Sequence, residues 1–207
     1  MQTLLEAAAP DPLKQWISGR RSIRRYRADP LPDGMIDRLI DAARFAPSAH
    51  NRQPWRFVVL QSSEEKARLA DAMGARLRAD RLADGDDPRA VEKDVANSRA
   101  RLVSAPAVIA VCFTLADMDR YRDARRAEAE RLMAVQSTAM AAQNLLLLAH
   151  AEGLGACWMC APLFCPDTVK LALELPCEWH PQALITLGYP ASAGRSRERR
   201  PVAEIVR

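Results

Sequence analysis

The stretch "AMAAQNLLLLAHAEGLGACWMC", Ala139 to Cys160, carries the strongest structural signals in the chain. Its first half is apolar on almost every side of a helix, and a helix of that kind is buried on every side. Gly153 can end the helix, and "GACWM" then has the composition of a short strand. The stretch predicts a long helix from about Asp119 to Glu152 at the centre of the fold and in a subunit interface, followed at once by a strand.

The sequence on either side of this stretch alternates between helical and strand patterns. "PAVIAVCFT" is an almost continuous apolar run, which is typical of a buried central strand. This order predicts a sheet covered by helices, of α+β or α/β type, in a single domain over residues 1–207. The further strands are predicted at "WRFVVLQ" and "QALITLGYP", and the further helices at Asp11–Gly19, "PLPDGMIDRLIDAARFAP" ending at Pro47, a helix capped by Ser62 or Ser63 with Glu65, Pro88–Leu102 and "PDTVKLALEL".

Composition indicates an ordinary globular chain. It has 207 residues, of which 49% are hydrophobic, enough for a core without disulfide bonds. The first ten residues lack the pattern of a signal peptide, and "AMAAQNLLLLAHA" is too short and polar to predict a membrane span. We therefore expect a cytoplasmic protein whose five cysteines are reduced thiols.

Two cysteines in the opening stretch, Cys157 and Cys160, have the spacing of a zinc ligand pair or a redox dithiol. A zinc site with Cys165 and Cys177 would lack the second closely spaced pair that such sites usually have. A thioredoxin-like dithiol needs a helix N-terminus, whereas this pair follows a strand. We expect no metal site.

Positive charge is concentrated at the two ends of the chain, which has a formal net charge of +4. Both clusters lie in turn-like sequence, and they do not alternate with exposed aromatics as nucleic-acid-binding surfaces often do. Two remote arginine clusters that converge would make a phosphate pocket, and the alternative is solvated surface charge. The clusters are Arg20, Arg21, Arg24, Arg25 and Arg27, and Arg195, Arg197, Arg199 and Arg200.

A polar loop, "PSAHNRQP", lies between the second predicted helix and the first strand. Two prolines pin it, and its side chains supply many hydrogen-bond donors and acceptors. Such density on a fixed loop suits recognition of the edge of a heteroaromatic ring, and the alternative is an ordinary turn.

In their order and spacing, "RRSIRRY", "APSAHNRQPWRF", "AAQNLLLLAHAEGLGACW" and "LITLGYP" resemble the nitroreductase family of flavoproteins, from about Pro12 to Arg207. The resemblance implies a homodimer of α+β subunits, each with a central mixed or antiparallel sheet flanked by helices. It also implies two molecules of flavin mononucleotide (FMN) at the dimer interface. The segments "ARLADAMGARLRADRLADG", "AEAERLM", "GLGACW" and "LELPCEWHPQALITLGYP" carry a narrower resemblance. They resemble the C-terminal FMN-binding domain of the bifunctional coenzyme F-420 γ-glutamyl ligase, which implies a role in reducing a dehydro-deazaflavin precursor. The ligase domain is absent from this chain.

The resemblance also implies which residues form the site. The first motif would contact the phosphate and ribityl chain, the loop would reach the partner subunit's flavin, and the strand after the long helix would run along the ring. Cys160 stands where the family often has glycine, and Asp80 matches an acid that contacts the deazaflavin in the F-420 relatives. The implied cofactor ligands are Arg20, Arg21, Ser22, Ile23, Arg24, Pro47, Ser48, Ala49, Asn51, Met159, Cys160, Arg197 and Arg199.

The implied function is an FMN-dependent oxidoreductase in which the cofactor carries the chemistry. NAD(P)H or a reduced deazaflavin would deliver hydride, and a small-molecule acceptor would then use the same pocket, giving ping-pong kinetics. No catalytic side chain and no nucleic-acid or membrane partner is expected. Two alternatives stay open: a general NAD(P)H-dependent nitro, quinone or enone reductase, and a non-catalytic flavin or deazaflavin-binding protein.

Overall fold

The structure, a computed structural model, describes residues 12–207. Four strands form one sheet in the order β1-β2-β4-β3, and every neighbouring pair is antiparallel. The predicted mixed or antiparallel sheet is therefore antiparallel, with β3 on one edge. The strands are β1 (Trp55–Leu60), β2 (Ala107–Thr114), β3 (Gly155–Met159) and β4 (Trp179–Gly188).

Six helices and three short 3-10 turns cover and connect the sheet in the described part of the chain. Ser62 is the N-cap of α3, as predicted, because its Oγ accepts a hydrogen bond from the Glu65 N–H at 3.1 Å. The Glu65 carboxylate accepts from Ser62 Oγ at 2.9 Å rather than from the Ser62 N–H of a full capping box. The helices are α1 (Pro12–Gly19), α2 (Met35–Ala43), α3 (Ser63–Ala83), α4 (Pro88–Val103), α5 (Ala124–Ala151) and α6 (Pro166–Ala172); the turns are Ala49–Asn51, Ala161–Phe164 and Val202–Glu204.

The core has a layer on each face of the sheet. Ile109 and Val111 of β2 point into the layer formed with α2 and α5, while Val108 and Ala110 point into the layer formed with α3, α4 and α6. All eight residues of β2 are buried. Two covered faces explain why this strand is an uninterrupted apolar run in the sequence.

Helix boundaries differ from the prediction by a few residues. The second helix ends at Ala43, four residues before Pro47, since the chain tightens into a turn at Arg44. The long helix begins at Ala124, with Asp123 as its N-cap, rather than near Asp119. Asp11, the predicted start of the first helix, lies outside the described residues.

Helix α5 is the central helix of the fold, but one chain does not bury it on all sides. A stripe stays open to solvent, and it includes Leu132 and Met140. The expectation of burial all round is therefore not met within one subunit. By length and composition alone α5 could also cross a membrane, a property shared by core helices of water-soluble proteins.

Candidate functional site

The first arginine motif runs beside the edge strand β3. Ser22 forms an isolated parallel bridge with Ala156, and the Ile23 N–H donates to the Ala156 carbonyl at 3.0 Å. Further along, the Ala191 N–H donates to the Arg25 carbonyl at 3.0 Å. The motif is thus a fixed extended segment held between β3 and the start of the C-terminal tail.

Two glycines permit this close approach. A Cβ on Gly155 would lie 2.7 Å from Ile23 Cβ, and a Cβ on Gly194 would lie 2.4 Å from Arg21 Cβ. Neither separation is sterically possible without moving the segment. The absence of a side chain at Gly155 and Gly194 therefore determines where the arginines lie.

Tyr26 fixes the same segment from the inside of the fold. Its hydroxyl donates to the Ile23 carbonyl at 2.6 Å and lies 2.7 Å from Thr186 Oγ1 of β4. Burial raises the pKa of the Tyr26 hydroxyl far above its usual range, and the Thr186 hydrogen bond opposes that rise. The group therefore stays a protonated structural donor.

The structure brings the two arginine clusters together, as the first of the two alternatives requires. Seven of their nine arginines line one cavity of about 480 Å³ at the β3 edge of the sheet, whereas Arg27 and Arg200 do not line it. Every first-motif residue in the predicted site contributes to it, as do Arg197 and Arg199 from the tail. The lining residues are Arg20, Arg21, Ser22, Ile23, Arg24, Arg25, Ser192, Ala193, Gly194, Arg195, Arg197 and Arg199.

A second cavity of about 280 Å³, which we call the ring pocket, shares Arg20 and Ser22 with the first, the arginine cavity. Its other walls are the Trp158 ring from β3 and the α5 residues Ala139, Gln143 and Leu146. An arginine-rich cavity therefore adjoins a flatter pocket with an aromatic wall. Together they can take a ligand with an anionic group at one end and a planar ring at the other.

Met159 and Cys160 lie at the far end of β3. Met159 packs with the α3 and α6 side of the core, whereas Trp158 packs with the α5 side. The Met159 side chain therefore points away from the ring pocket, and only the Met159 backbone is available there. Cys160 is exposed, and the Trp158 Nε1–H points at its thiol sulfur at 2.8 Å.

The loop that contains Pro47, Ser48, Ala49 and Asn51 lies at the opposite end of the sheet from the arginine cavity. It precedes β1 at the end where Trp55 pairs with Phe113, whereas the arginine cavity adjoins the end where Gly155 pairs with Gly188. One chain therefore does not bring these residues together with the arginines.

This loop has an unusual backbone. His50, Asn51 and Gln53 all have positive φ, at 49°, 53° and 49°. Left-handed backbone is costly for residues with side chains, and it concentrates at functional loops. Ser48 Oγ stabilises the conformation by accepting from the Gln53 N–H at 3.0 Å, and the Ala49 N–H donates to Ser137 of α5 at 3.4 Å.

The cysteine spacing of the opening stretch forms neither a disulfide nor a metal cluster in the described residues. Cys157 is buried and Cys160 is exposed, so the two thiols do not act as a pair. Burial raises the pKa of the Cys157 thiol, and Arg24 partly offsets that rise. The Cys157 thiol is an inert core group.

Asp80 lies near the end of α3, outside both cavities. Its two carboxylate oxygens accept from Arg76 Nε at 2.8 Å each, within the same helix. The side chains of both residues are about half exposed. The pair neutralises Asp80 locally, and no described contact joins it to the arginine segment.

Several cavity residues were not predicted from the sequence. Gln143 and Leu146 belong to the apolar pattern of the long helix, which predicts burial rather than a cavity wall. A glutamine within that pattern is the signal that could have indicated a polar wall of a cavity. Gly194 could have been suspected, since it is the one glycine of the basic tail. Gly194 permits the close approach of Arg21, and no local sequence pattern shows that contact.

The fold and cavities define an α+β protein with an arginine-lined cavity at its sheet edge. Residues 17–189 match the Nitroreductase family. The chain therefore belongs to the nitroreductase family.

Known proteins resemble the chain over nearly its whole length. A Thermus thermophilus protein named NADH dehydrogenase is 32% identical, over 90% of this chain and 91% of its own. A 5,6-dimethylbenzimidazole synthase of Rhodospirillum rubrum is 33% identical, over 95% and 86%. A Desulfovibrio desulfuricans structure described as a nitroreductase in complex with FMN is 30% identical, with a TM-score of 0.73 and 96% of each chain covered.

Proposed function

We propose that this chain is an FMN-dependent oxidoreductase that takes electrons from NAD(P)H and passes them to a small-molecule acceptor. The observation that carries the proposal is the convergence of two remote arginine clusters on a cavity that adjoins an aromatic-walled pocket. FMN has this shape, with a phosphate at one end and a planar ring at the other. Membership of the nitroreductase family and the FMN-containing relative support the same cofactor.

The phosphate end of FMN fits the arginine cavity. Guanidinium groups bind phosphate through paired, charge-assisted hydrogen bonds, and a serine hydroxyl adds a short one. Arg20, Ser22 and Arg24 from the first motif and Arg197 and Arg199 from the tail are the proposed ligands. Because the two groups come from opposite ends of the chain, bound phosphate would also hold the tail against the sheet.

The ring end fits the pocket beside β3. Trp158 and Leu146 supply an apolar wall, while Gln143 can hydrogen-bond to a ring edge. Cys160 does not line the pocket, but its thiol lies beside it in contact with Trp158 Nε1. Bound FMN supplies hydride acceptance and release, and the residues around it exclude water and orient the two substrates in turn.

We infer that the working form is a homodimer. The open stripe of α5 carries Leu132 and Met140 and continues into Ala139 and Gln143, which line the ring pocket. A partner packed on this stripe would close the pocket. The partner's copy of the strained loop around Ser48, which lies far from the arginines of its own chain, could then reach the flavin.

Single substitutions test the cofactor assignment. Arg20→Ala and Arg197→Ala remove phosphate ligands from opposite ends of the chain, and each should weaken FMN binding by at least about tenfold, the typical cost of losing a hydrogen bond to a charged group. Arg27→Ala is the matched control, since Arg27 pairs with Asp29 and stacks over Tyr189 outside the cavity. Unchanged affinity in both test variants would remove the arginine cavity from the FMN site.

The narrower proposal is that the acceptor is a deazaflavin precursor of coenzyme F-420. It depends on the resemblance of several motifs and on Asp80, whose carboxylate is already paired with Arg76. Titration of deazaflavins into the FMN-loaded protein and its Asp80→Ala variant tests it. Tight binding that the substitution weakens would support it, and equal binding would leave Asp80 without a role.

A non-catalytic flavin carrier would use the same binding residues. Turnover separates the two, because a carrier would hold FMN without catalysing repeated oxidation of NAD(P)H by an added quinone or nitroaromatic compound. The enzyme proposal predicts parallel lines in double-reciprocal plots, which are typical of ping-pong kinetics.

A further inference from the structure

The arginine cavity holds more positive charge than one phosphate needs. Seven of its lining residues are arginines. Within residues 12–207, none of the seven has a carboxylate within ion-pair distance, although most other arginines of the fold have one. The seven are Arg20, Arg21, Arg24, Arg25, Arg195, Arg197 and Arg199.

A single FMN leaves this charge largely uncompensated. A phosphate monoester carries about two negative charges near pH 7, so about five arginines would stay unpaired around a loaded cavity. Like charges gathered on one concave surface repel one another and raise the local concentration of anions. The cavity is therefore suited to a second anionic group beside the FMN phosphate.

Arg25 and Arg195 are the best candidates to bind that group. Neither belongs to the residues proposed to hold FMN, yet both line the cavity. The Arg25 carbonyl accepts from the Ala191 N–H, which ties the motif to the tail shortly before Arg195. Gly194 packs against Arg21 and so fixes the backbone from which the Arg195 side chain extends.

We propose that Arg25 and Arg195 form a second phosphate subsite, and that it binds the 2′-phosphate of the electron donor, making the protein selective for NADPH over NADH. This inference rests on the proposed function, because the donor must reach the FMN ring. The 2′-phosphate is a phosphate monoester that NADPH carries and NADH lacks. A pair of guanidinium groups binds such a dianion through several charge-assisted hydrogen bonds at once.

Binding to the FMN-loaded protein tests the subsite without turnover. Adenosine 2′,5′-bisphosphate and adenosine 5′-monophosphate are titrated calorimetrically into the loaded wild type and its Arg25→Ala, Arg195→Ala and Arg27→Ala variants. We expect the bisphosphate to bind at least about tenfold more tightly, and Arg25→Ala or Arg195→Ala each to remove about tenfold of that preference. The Arg27→Ala control should keep it. Equal binding of the two nucleotides, or no effect of either cavity variant, would overturn the subsite.

Steady-state kinetics then identifies which substrate carries the phosphate. The ratio of kcat/KM for NADPH to that for NADH should fall about tenfold in Arg195→Ala and stay unchanged in Arg27→Ala. The donor assignment would be overturned if the protein used NADPH and NADH equally and preferred FMN over riboflavin as acceptor in a way that depends on Arg195. That result would place the bound phosphate on the acceptor. Failure of all variants to bind FMN would instead count against the proposed function, so the two failures are distinguishable.

Discussion

Tyr26 is the residue on which the position of the arginine segment most depends. Its hydroxyl joins the Ile23 carbonyl to Thr186 on β4, and Thr186 is otherwise buried. In the sequence, nothing distinguishes this tyrosine between two arginines. Its role in fixing the arginine motif is visible only in the structure, where the motif lies against the sheet. The position of the arginines thus depends on a side chain that lines neither cavity.

We predict that Tyr26→Phe lowers the free energy of unfolding by about 1–2 kcal/mol, because Thr186 and the Ile23 carbonyl lose a buried partner. FMN affinity should fall as well, since the arginines are less firmly held. Urea denaturation and FMN titration measure the two effects. Tyr121→Phe is the control, because Tyr121 is partly exposed and contacts Arg126 through its ring. Loss of stability with unchanged FMN affinity would show that Tyr26 does not position the arginines.

The thiols differ in accessibility, and this predicts their chemistry. Burial raises the pKa of Cys112 to about 12 and also raises the pKa of Cys157 and Cys165, whereas Cys160 and Cys177 are exposed. A thiol-alkylating reagent at pH 8 should therefore modify Cys160 and Cys177 in the native protein and spare the other three.

Mass spectrometry with and without FMN extends this test to the site. Cofactor in the ring pocket should protect Cys160 beside it and leave Cys177 reactive, so Cys177 serves as an internal control. Equal labelling of Cys160 in both states would separate its thiol from the flavin site.

Among individual residues, the sequence predicted which arginines line the arginine cavity better than which residues line the ring pocket. The two clusters were visible as charge, and their convergence followed from the family resemblance. The orientation of Met159 could not be predicted, because a strand residue faces one side or the other according to register. The contribution of Gln143 depends on which face of α5 meets β3.

At the element scale, α5 connects the fold to the site. One face packs on the sheet, and the opposite stripe, with Leu132 and Met140, is open and leads to the ring pocket. The sequence showed a helix apolar on all sides but could not show what covers each side. Boundaries of the strands were predicted closely, as for β3, whereas α2 ended early because its last turn is set by local hydrogen bonds rather than by Pro47.

We predict that the double variant Leu132→Glu and Met140→Glu converts a dimer into monomers and weakens FMN binding. Two charges would be buried without partners in an interface along α5. Light scattering coupled to gel filtration measures the mass. Leu171→Glu is the matched control, because Leu171 is 83% exposed on α6, away from this stripe. A wild-type protein that is monomeric while fully loaded with FMN would contradict the proposed interface.

At the scale of the whole molecule, two half-buried histidines make stability depend on pH. Burial lowers the pKa of His150, and nearby Arg20 and Arg21 lower it further. Burial likewise lowers the pKa of His180, which stacks on Phe113 at 4.8 Å between ring centroids. In the unfolded chain both would titrate near the ordinary histidine pKa of about 6.5.

Because folding lowers the pKa of both histidines, stability should decrease as the pH falls. As pH falls below about 6.5, the unfolded chain binds protons that the folded chain resists, so the free energy of unfolding should decrease. Urea denaturation between about pH 7.5 and 5.5 measures this, and His180→Phe, which keeps the ring stack, should reduce the decrease. The lowered carboxyl pKa values of Glu92, Asp123 and Glu128 act only at more acidic pH. Stability that is flat across this range would contradict the histidine assignment.

Because we propose that the two ends of the chain bind FMN together, the stoichiometry of bound cofactor is the decisive measurement. The folded protein, purified and then incubated with excess FMN, is freed of unbound flavin and denatured, and the released flavin is quantified against protein. We expect one FMN per chain in the wild type and in Arg27→Ala, with strong loss in Arg20→Ala and Arg197→Ala. A folded wild-type protein that retains no flavin after this treatment would contradict it.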